Sequence, residues 1–466
     1  MEIKPADSAV EPILFDEEEV KLSLKFGFLG LGMGGCSIAA EFAKIRTGTK
    51  NNLYPYSVGL VNTNMGDFAK IPSLSNATEL KLSGYEKGAG RNVILGEQAF
   101  VENVDNLRPS IERIFQDREF VWIISGLGGG TGTGGVIPAV EMMYEMGFAG
   151  RVGLILTLPR NKEGRQVIEN ALARLQLIIQ AVESKQLGSV LFVDNEMLFQ
   201  RFLHEDPNMS EEDYLVKSNR FIAQTLHRMN AVSASAPYGA FHFDSSEFLK
   251  MLSTPGVLSI SCAEIGSNSI DLERIDSYVT PFEESIQSGL LSTGYDLATA
   301  ERAATSIITR KQVADRIYKL SFTNQIESIL DSYAPTATEK PVSTYVADVK
   351  KTFNQDKSHV VYMFSIFGGL DWPQRVSELY DLREELLQAE RTRKKSDVFA
   401  KISNMQIETQ PEKPITGSPF GNRTAAPSPF GNRDTSASPF GNRTETNSNN
   451  DDNESPFKKT RSPYSS

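Results

Sequence analysis

The amino-acid sequence predicts an α/β fold in which helices cover both faces of a parallel sheet. Three observations lead to this prediction. Short apolar runs typical of strands alternate with segments of helical spacing between residues 23 and 208. These strand candidates are largely apolar, as strands covered on both faces are. Two glycine clusters directly follow strand candidates, and ligands of such sheets bind at the carboxyl ends of the strands.

The predicted elements follow one another along the chain. The first region holds a strand at 24–29, a helix at 37–45, strands at 57–61, 120–125 and 152–158, a helix at 163–184 and a strand at 189–193. A helix at 210–232 leads to a mixed region with strands at 257–265 and 360–367 around a helix near 298–309. Residues 375–402 predict a long exposed helix with a basic end and one apolar stripe. The stripe consists of Val376, Leu379, Leu382 and Leu386.

These patterns divide the chain into segments. They are a mobile acidic N-terminal arm at 1–22, a ligand-binding domain at 23–208, a central helix at 209–232, a second, smaller mixed α/β domain at 233–373, a C-terminal helix at 374–405 and a tail at 406–466. The tail is rich in Ser, Pro, Asn and Thr and cannot bury a core, so we expect it to be disordered.

The tail contains a repeated hexapeptide. Ser-Pro-Phe-Gly-Asn-Arg occurs unchanged at 418–423, 428–433 and 438–443, and a looser copy begins at Ser455. Each copy pairs one phenylalanine with a cation. The repeats are either neutral low-complexity sequence or a multivalent binding motif, in which tandem copies raise avidity without new contacts.

The composition of the chain limits where the protein can be located in the cell and which classes of protein it can belong to. No apolar stretch approaches the roughly 20 residues that a membrane span requires, and the N-terminus lacks the pattern of a signal peptide. The two cysteines, Cys36 and Cys262, are far apart and lack metal-site spacing. A formal net charge of −11 argues against direct DNA binding by the folded body. We therefore expect a cytoplasmic protein of a bacterial host, without a membrane contact.

The most informative segment is the glycine loop at 126–135, which directly follows the apolar run at 120–125. Glycine allows positive φ and a close approach of the backbone to a bound group. Free N–H groups of such a loop, together with the positive end of a following helix, form an anion site. Thr131 and Thr133 can add hydroxyl hydrogen bonds. This pattern predicts phosphate binding.

The cluster at 30–35 also satisfies GxGxxG, so an NAD-dependent oxidoreductase with a Rossmann fold is a remote alternative. That fingerprint expects a carboxylate after the second strand. The sequence there is Val-Asn-Thr-Asn at 61–64, and the Rossmann pattern gives no role to the second glycine loop. No GxxxxGK[ST] motif is present, which excludes a Walker-type loop.

The sequence GGGTGTG at 128–134 resembles the signature loop of the tubulin/FtsZ family of GTPases, and further loops resemble that family in the same order. The resemblance covers about residues 25–370. It implies that GTP contacts come from four phosphate loops: a first loop with Gly32, Met33, Gly34, Gly35 and Cys36, a second loop with Asn62, Thr63 and Asn64, a third loop with Gly88, Ala89, Gly90, Arg91 and Asn92, and the signature loop with Gly128, Gly129, Gly130, Thr131, Gly132 and Thr133. It also implies that Pro159 and Glu163, in a ribose loop at residues 156–164, contact the sugar. The guanine base would be contacted by Asn195 and Asn219.

The segment at 242–247, His-Phe-Asp-Ser-Ser-Glu, resembles the family's acidic NxDxxD loop. In this family a neighbouring subunit inserts that loop beside the γ-phosphate, where a carboxylate positions the attacking water. The resemblance therefore makes Asp244 and Glu247 the candidate catalytic residues. His242 stands where the family has Asn, and Glu247 stands where the family has its second Asp. Because of these two differences, the sequence does not decide which of the two carboxylates, Asp244 or Glu247, contributes more to catalysis.

The resemblance implies a two-domain tubulin-like fold and a GTPase that hydrolyses GTP to GDP and phosphate when it polymerises. Its cofactors would be GTP or GDP with Mg²⁺, the metal being held through phosphates and water rather than by a protein metal site. The loop sequences are most similar to the branch that segregates plasmid and phage DNA. That branch implies a head-to-tail filament and a DNA-binding adaptor bound through the C-terminal tail. A cell-division GTPase and a non-polymerising regulatory GTP-binding protein are the alternatives.

Overall fold

The computed structural model describes residues 22–46, 54–239, 242–347 and 360–394. The strands are β1 (Phe26–Leu31), β2 (Ser57–Asn62), β3 (Ala77–Lys81), β4 (Phe120–Gly126), β5 (Val152–Leu158), β6 (Ser189–Asp194), β7 (Ala236–Pro237), β8 (Gly256–Gly266), β9 (Arg302–Arg310), β10 (Val342–Ala347) and β11 (Val360–Leu370). The helices are α1 (Gly32–Ala43), α2 (Met65–Phe68), α3 (Val93–Phe115), α4 (Thr131–Met143), α5 (Arg165–Glu183), α6 (Asn195–Glu205), α7 (Glu211–Val232), α8 (Ser245–Ser253), α9 (Asp276–Ser288), α10 (Lys311–Ile317), α11 (Leu320–Tyr333) and α12 (Gln374–Lys394).

The strands of the described residues form one sheet in the order β3-β2-β1-β4-β5-β6-β8-β11-β9-β10-β7. The first six are parallel, and β8 continues the parallel arrangement beside β6. The chain runs from β1 outward to β3 and then returns to place β4 on the other side of β1. This reversal is the switch point at which open α/β sheets bind ligands.

Both faces of the parallel part are covered, as the sequence predicted. On β1, Phe26 and Phe28 pack with α1 and α7, whereas Leu29 and Leu31 pack on the opposite face with α3, α4 and α5. The same alternation occurs on β4, where Trp122 is on the α1 face. Because neighbouring residues of a strand project to opposite faces, an all-apolar strand fills two cores at once.

The second half of the sheet is mixed. β11 is antiparallel to both β8 and β9, and β10 pairs with β9 in parallel. The two halves meet where residues 189–191 of β6 pair with residues 256–258 of β8. Both halves belong to one compact unit, and the boundary between the predicted domains stays a prediction.

The central helix α7 is anchored to the first strands by two buried polar contacts. The Asn230 side chain accepts from the backbone N–H of Leu24 at 2.8 Å and donates to its carbonyl oxygen at 2.9 Å. His227 Nδ1 lies 2.9 Å from the hydroxyl of Tyr56, and burial lowers the pKa of this histidine to about 4. An uncharged imidazole therefore joins α7 to the start of β2.

One predicted element is wrong. The helix expected near residues 298–309 is the strand β9, preceded by a short 3₁₀ turn at Leu297–Thr299. The interior of β9 is buried and rich in β-branched residues, among them Thr305 and Ile307, which suit a strand packed on both faces. The two adjacent alanines at its start gave a misleading helical signal.

The C-terminal helix is less exposed than the sequence suggested. Leu379 is buried, and Val376, Leu382 and Leu386 pack against the same core, so the apolar stripe of α12 covers α5. The described part of this helix ends at Lys394. The predicted acidic arm, apart from Leu22, and the tail with its repeats lie outside the described residues. Within the described ranges, no helix is long and apolar enough to span a membrane.

Candidate functional site

Four loops meet at the switch point around a cleft of about 310 Å³. They are the β1–α1 loop, the segment after β2, the segment before α3 and the glycine loop after β4. The cleft is lined by Leu31, Gly32, Met33, Gly34, Asn62, Thr63, Asn64, Asp67, Lys87, Gly88, Ala89, Gly90, Gly126, Gly129, Gly130, Thr131 and Gly132. Most of the residues predicted to hold the phosphates are therefore brought together.

Two helix N-termini face this cleft. α1 begins at Gly32 and α4 at Thr131, and neither helix has a side-chain cap or an acidic residue in its first turn. Gly32 has a φ of +66°, and a Cβ there would lie 2.7 Å from the backbone nitrogen of Gly132. Uncapped N–H groups of two helices thus lie side by side, which is a favourable arrangement for an anion such as phosphate.

The two threonines of the signature loop have different surroundings. The Thr131 hydroxyl lies 2.8 Å from the hydroxyl of Thr63 and lines the cleft. The Thr133 hydroxyl is buried inside the loop, where it accepts from the N–H of Gly128 at 2.8 Å and donates to the carbonyl oxygen of Gly126 at 3.3 Å. Thr131 can contact a ligand directly, and Thr133 holds the shape of the loop.

The second loop contains a carboxylate that the sequence analysis missed. Asp67 lines the cleft and accepts hydrogen bonds from the side-chain amides of Asn62 at 3.1 Å and Asn64 at 3.2 Å. Asn64 also caps α2 by accepting from the N–H of Gly66. The signal available in the sequence was an aspartate three residues after the Asn-Thr-Asn segment.

The third loop was predicted from its glycines, and its charged neighbour was overlooked. Lys87 lines the cleft next to Gly88 and Gly90, both of which have positive φ. Asn92 caps α3 by accepting from the N–H of Leu95 at 3.1 Å. A lysine directly before a glycine-rich loop was the signal that the sequence contained.

The third loop and the signature loop are joined by a side chain of α5 that lies outside the lining of the cleft. Asn170, on α5, donates from its side-chain amide to the carbonyl oxygens of Arg91 at 2.9 Å and Gly128 at 3.0 Å. Arg91 has a φ of +65° and an exposed side chain. Asn170 therefore holds the backbone turns of these two loops together.

Gly35 and Cys36 lie behind the cleft rather than in its lining. A Cβ at Gly35 would lie 2.1 Å from the carbonyl oxygen of Ile124, so glycine lets α1 pack on β4. The thiol of Cys36 is fully buried, and its single proton is shared between the carbonyl oxygens of Gly30 and Val61, each 3.4 Å from Sγ. Burial raises the pKa of this thiol far above its ordinary value, which disfavours the thiolate form.

The predicted ribose and base residues are on neighbouring elements outside the lining of the cleft. Pro159 is buried, and Glu163 accepts from the backbone N–H of Arg160 at 2.9 Å, which closes the turn between them. Asn195 is the first residue of α6, and Asn219 lies in the middle of α7, which packs on α1.

The candidate catalytic carboxylates are also absent from the lining of this cleft. Asp244 caps α8: its carboxylate accepts from the N–H groups of Ser246 at 2.8 Å and Glu247 at 3.0 Å and from the Ser246 hydroxyl at 2.8 Å. The backbone N–H of Glu247, followed by the Ser246 hydroxyl, lowers the pKa of Asp244. Glu247 is partly buried, and its Oε2 has no hydrogen-bond partner.

The residues that the structure describes supply few ligands for a metal ion. Among the described residues, no group of three or more His, Cys, Asp or Glu side chains could hold one. Asp67 is the carboxylate in the lining of the cleft. Magnesium often binds through one carboxylate together with phosphates and water, and this donor set fits that mode.

Comparison with known families defines the class. Residues 26–202 match the family model described as "Tubulin/FtsZ family, GTPase domain". Residues 241–374 match the model described as "Tubulin-like protein TubZ, C-terminal domain". With the nucleotide-type cleft at the switch point, these matches define a GTPase of the tubulin/FtsZ family.

The relatives narrow this class further. The tubulin-like protein TubZ of Bacillus cereus is 41% identical over 407 residues, which cover 85% of this chain and 92% of that protein. Cell division protein FtsZ 1 of Pyrococcus abyssi is 25% identical over 311 residues, which cover 66% of this chain and 75% of that protein. The chain belongs to the TubZ family.

Solved structures share the fold. A GTPγS-form protofilament of Bacillus thuringiensis serovar israelensis TubZ superposes with a TM-score of 0.68 at 21% identity, covering 84% of this chain and 97% of that one. A helical model of a four-stranded TubZ filament gives a TM-score of 0.69 at 20% identity, covering 85% and 97%. The tubulin-like fold predicted from the sequence is confirmed.

Gly130→Val is expected to abolish nucleotide binding. A Cβ at Gly130 would lie 2.7 Å from the Cβ of Ala89 and 3.0 Å from the carbonyl oxygen of Asn92, so the change pushes the third and signature loops apart. At Gly129 no atom lies within 4 Å of an added Cβ. Gly129→Ala should therefore keep the parent melting temperature and weaken GTP binding only by placing a methyl group in the cleft. Calorimetric titration with GTP measures the affinities, and thermal unfolding measures the melting temperature. Parent-like affinity in both variants would contradict the assignment of this cleft.

Proposed function

We propose that this chain is a self-assembling GTPase whose head-to-tail filament hydrolyses GTP at subunit interfaces and drives segregation of plasmid or phage DNA. The observation that carries the proposal is the separation of the acidic pair from the phosphate cleft within one subunit. Asp244 and Glu247 start α8, whereas the cleft is lined by the loops after β1, β2 and β4 and before α3. A repeated heterologous contact can join the two and also generates an open filament.

Within the cleft, the phosphates bind to the N-termini of α1 and α4 and to the backbone of the first, third and signature loops. Lys87 neutralises part of the phosphate charge, and the Thr131 hydroxyl donates a hydrogen bond to a phosphate oxygen. Thr133, Cys36 and Gly35 act indirectly by fixing the shape of the loops. The ribose contacts Pro159 and Glu163, and Asn195 and Asn219 read the guanine.

Mg²⁺ accompanies the nucleotide and is bound mainly by phosphate oxygens and water, which supply the charge neutralisation that phosphoryl transfer requires. Asp67 is the protein carboxylate best placed to orient one of those waters. Its two oxygens already accept from Asn62 and Asn64, which fixes the direction of the remaining lone pairs.

The acidic pair positions the attacking water in the neighbouring subunit's site. Asp244 is oriented by its role as a helix cap and stays ionised at neutral pH, because the hydrogen bonds it accepts lower its pKa. Oε2 of Glu247 is shielded from solvent within the single subunit and has no hydrogen-bond partner there. All three hydrogen bonds that fix Asp244 are accepted by Oδ1, which leaves its Oδ2 to accept from the water.

The tail binds a DNA-binding adaptor of the TubR type, while the folded body makes no specific DNA contact. The support for this is the sequence: three identical copies of Ser-Pro-Phe-Gly-Asn-Arg within residues 418–443 and a chain of formal net charge −11. The filament works in the bacterial cytoplasm, where the DNA cargo is.

A non-polymerising regulatory GTP-binding protein is the alternative from another class. Sedimentation with GTP and with GDP, alongside phosphate release, separates the two: GTP-dependent pelleting supports the filament, and soluble protein with bound GTP supports the regulator. A cell-division GTPase would also polymerise, and it differs in lacking capture of a DNA-bound adaptor.

The first functional prediction concerns protein concentration. If the acidic loop acts on the neighbouring subunit, phosphate release per subunit is close to zero at low concentration and rises steeply above a threshold. The measurement is a phosphate-release series across that threshold with excess GTP and Mg²⁺. A specific activity that does not depend on concentration would exclude a shared site.

The second prediction separates catalysis from folding at α8. Asp244→Asn keeps the helix cap and removes the charge, whereas Asp244→Ala also removes the cap, which costs about 1 kcal/mol. Asp244→Asn, Asp244→Ala and Glu247→Gln should each retain GTP binding and assembly and hydrolyse roughly 10²–10⁴-fold more slowly. Only the alanine variant should also melt at a lower temperature. Parent-like hydrolysis in all three would show that these acids belong to the surface.

The third prediction tests the tail. Deletion of residues 411–466 should leave hydrolysis and polymer formation intact and weaken capture of the adaptor–DNA complex. Single Phe→Ala changes at Phe420, Phe430 and Phe440 should cost little, and the triple change should approach the deletion, because linked weak sites share an avidity gain. Anisotropy titration of labelled DNA with adaptor measures this. Equal binding by every variant would contradict a role of the repeats and would indicate that the basic segment at 391–395 binds the adaptor instead.

A further inference from the structure

Arg375, the second residue of α12, is a buried cation with partners in the ribose loop and at the end of β6. Its side chain is 7% exposed. One terminal nitrogen donates to the carbonyl oxygen of Pro159 at 3.1 Å and to the side-chain oxygen of Asn161 at 2.7 Å. Nε lies 3.4 Å from a carboxylate oxygen of Asp194, which is itself buried.

These partners surround the nucleoside end of the site. Pro159 is a predicted ribose contact, and Asn161 belongs to the same loop. Asp194 caps α6 by accepting from the N–H groups of Glu196 at 2.9 Å and Met197 at 3.2 Å, and it directly precedes Asn195, the predicted base reader. A single guanidinium therefore contacts both the ribose loop and the cap of the helix that begins with the base reader.

The ribose loop and α6 are also joined to each other. The backbone N–H of Asn161 donates to the carboxylate of Glu196 at 3.1 Å. The guanidinium of Arg160 lies 3.5 Å from the centre of the Phe199 ring. The loop and the helix thus form one unit, and Arg375 connects that unit to α12.

The rest of α12 docks on α5, which begins directly after the ribose loop. Arg165, the first residue of α5, pairs with Glu390 of α12 at 3.1 Å, and Arg383 of α12 pairs with Glu169 of α5 at 3.5 Å. The buried Leu379 supplies the apolar contact. The same helix therefore touches the ribose loop on one side and the element that follows it on the other.

We propose that Arg375 is a positioning residue for the nucleoside half of GTP and that it couples the docking of α12 to nucleotide binding. This inference rests on the proposed function, because the ribose and base contacts are assigned there. The planar fork of arginine suits several acceptors in fixed directions, which a lysine ammonium does not. Coupling of this kind is reciprocal: if a docked α12 favours guanine nucleotide, bound nucleotide favours docking of α12 by the same factor.

A purely structural Arg375 would behave differently. Loss of a buried ion pair that only stabilises the fold would loosen the whole site, so phosphate and nucleoside contacts would weaken together. A positioning residue affects only the ligand part that it orients. The ratio between the affinities for GDP and for pyrophosphate, which lacks the nucleoside, distinguishes these two roles.

The test uses the full chain below its assembly concentration, titrated with GDP and, in competition, with pyrophosphate. Arg375→Gln should raise the Kd for GDP about tenfold, which is within the usual range of coupling between two sites, and leave the Kd for pyrophosphate unchanged. Arg383→Gln is the matched control, because its partly exposed pair with Glu169 contributes little to the docking of α12 and the contacts made by Arg375 stay in place. It should leave both affinities at the parent values.

Hydrogen exchange supplies the second readout. GDP should slow amide exchange in residues 374–394 of the parent and of Arg383→Gln, and should not slow it in Arg375→Gln. If Arg375→Gln does not fold, Asn161→Ala removes an exposed acceptor of the same cation and should give a smaller shift in the same direction. Parent-like GDP affinity, or an equal loss for GDP and pyrophosphate, would overturn the inference. A parent chain that binds neither ligand would instead overturn the proposed function.

Discussion

The close approach of two helix N-termini is the constraint on which the rest of this structure depends. α1 and α4 leave adjacent strands at the switch point, and their first turns nearly touch between Gly32 and Gly132. Any side chain at either position would separate them. The parallel sheet orients both helices in the same direction, and the glycines allow their N-termini to approach each other closely. The N–H groups therefore cluster at one place because of the sheet topology and because these positions lack Cβ atoms.

The loops around these two helix ends are joined into a single cradle. Thr63 contacts Thr131, Asn170 bridges two loops from behind, and the Asp67 carboxylate holds the second loop in shape. Each contact joins segments that are distant in the sequence. The free-energy cost of ordering these loops is therefore met when the chain folds and not when a ligand binds. This is what makes the site preorganised.

The sequence predicted those parts of the molecule that have a local signal. β5 was predicted with the bounds that the structure has, because an uninterrupted apolar run marks a buried strand. The phosphate loops were predicted from their glycines. Asp67 and Lys87 were missed because single charged residues in a loop look like solvated surface. Arg375 was missed because its hydrogen-bond partners Pro159 and Asn161 lie more than two hundred residues away in sequence. β9 was assigned as a helix because alanine favours helices. The burial of β9 on both faces, which favours a strand, depends on the tertiary structure and cannot be predicted from the local sequence.

The pairing between β6 and β8 joins the two halves of the sheet through three residue pairs, whereas β1 and β4 share six. Ser189 strengthens this short seam: its hydroxyl lies 3.3 Å from the carbonyl oxygen of Met251 and 3.4 Å from that of Thr254. A twisting load between the halves would concentrate there, since fewer ladder hydrogen bonds resist it than anywhere else in the parallel part. The sheet is thus continuous in its hydrogen bonding but uneven in its stiffness, with the most compliant line between the half that holds the phosphates and the half that carries the acidic helix.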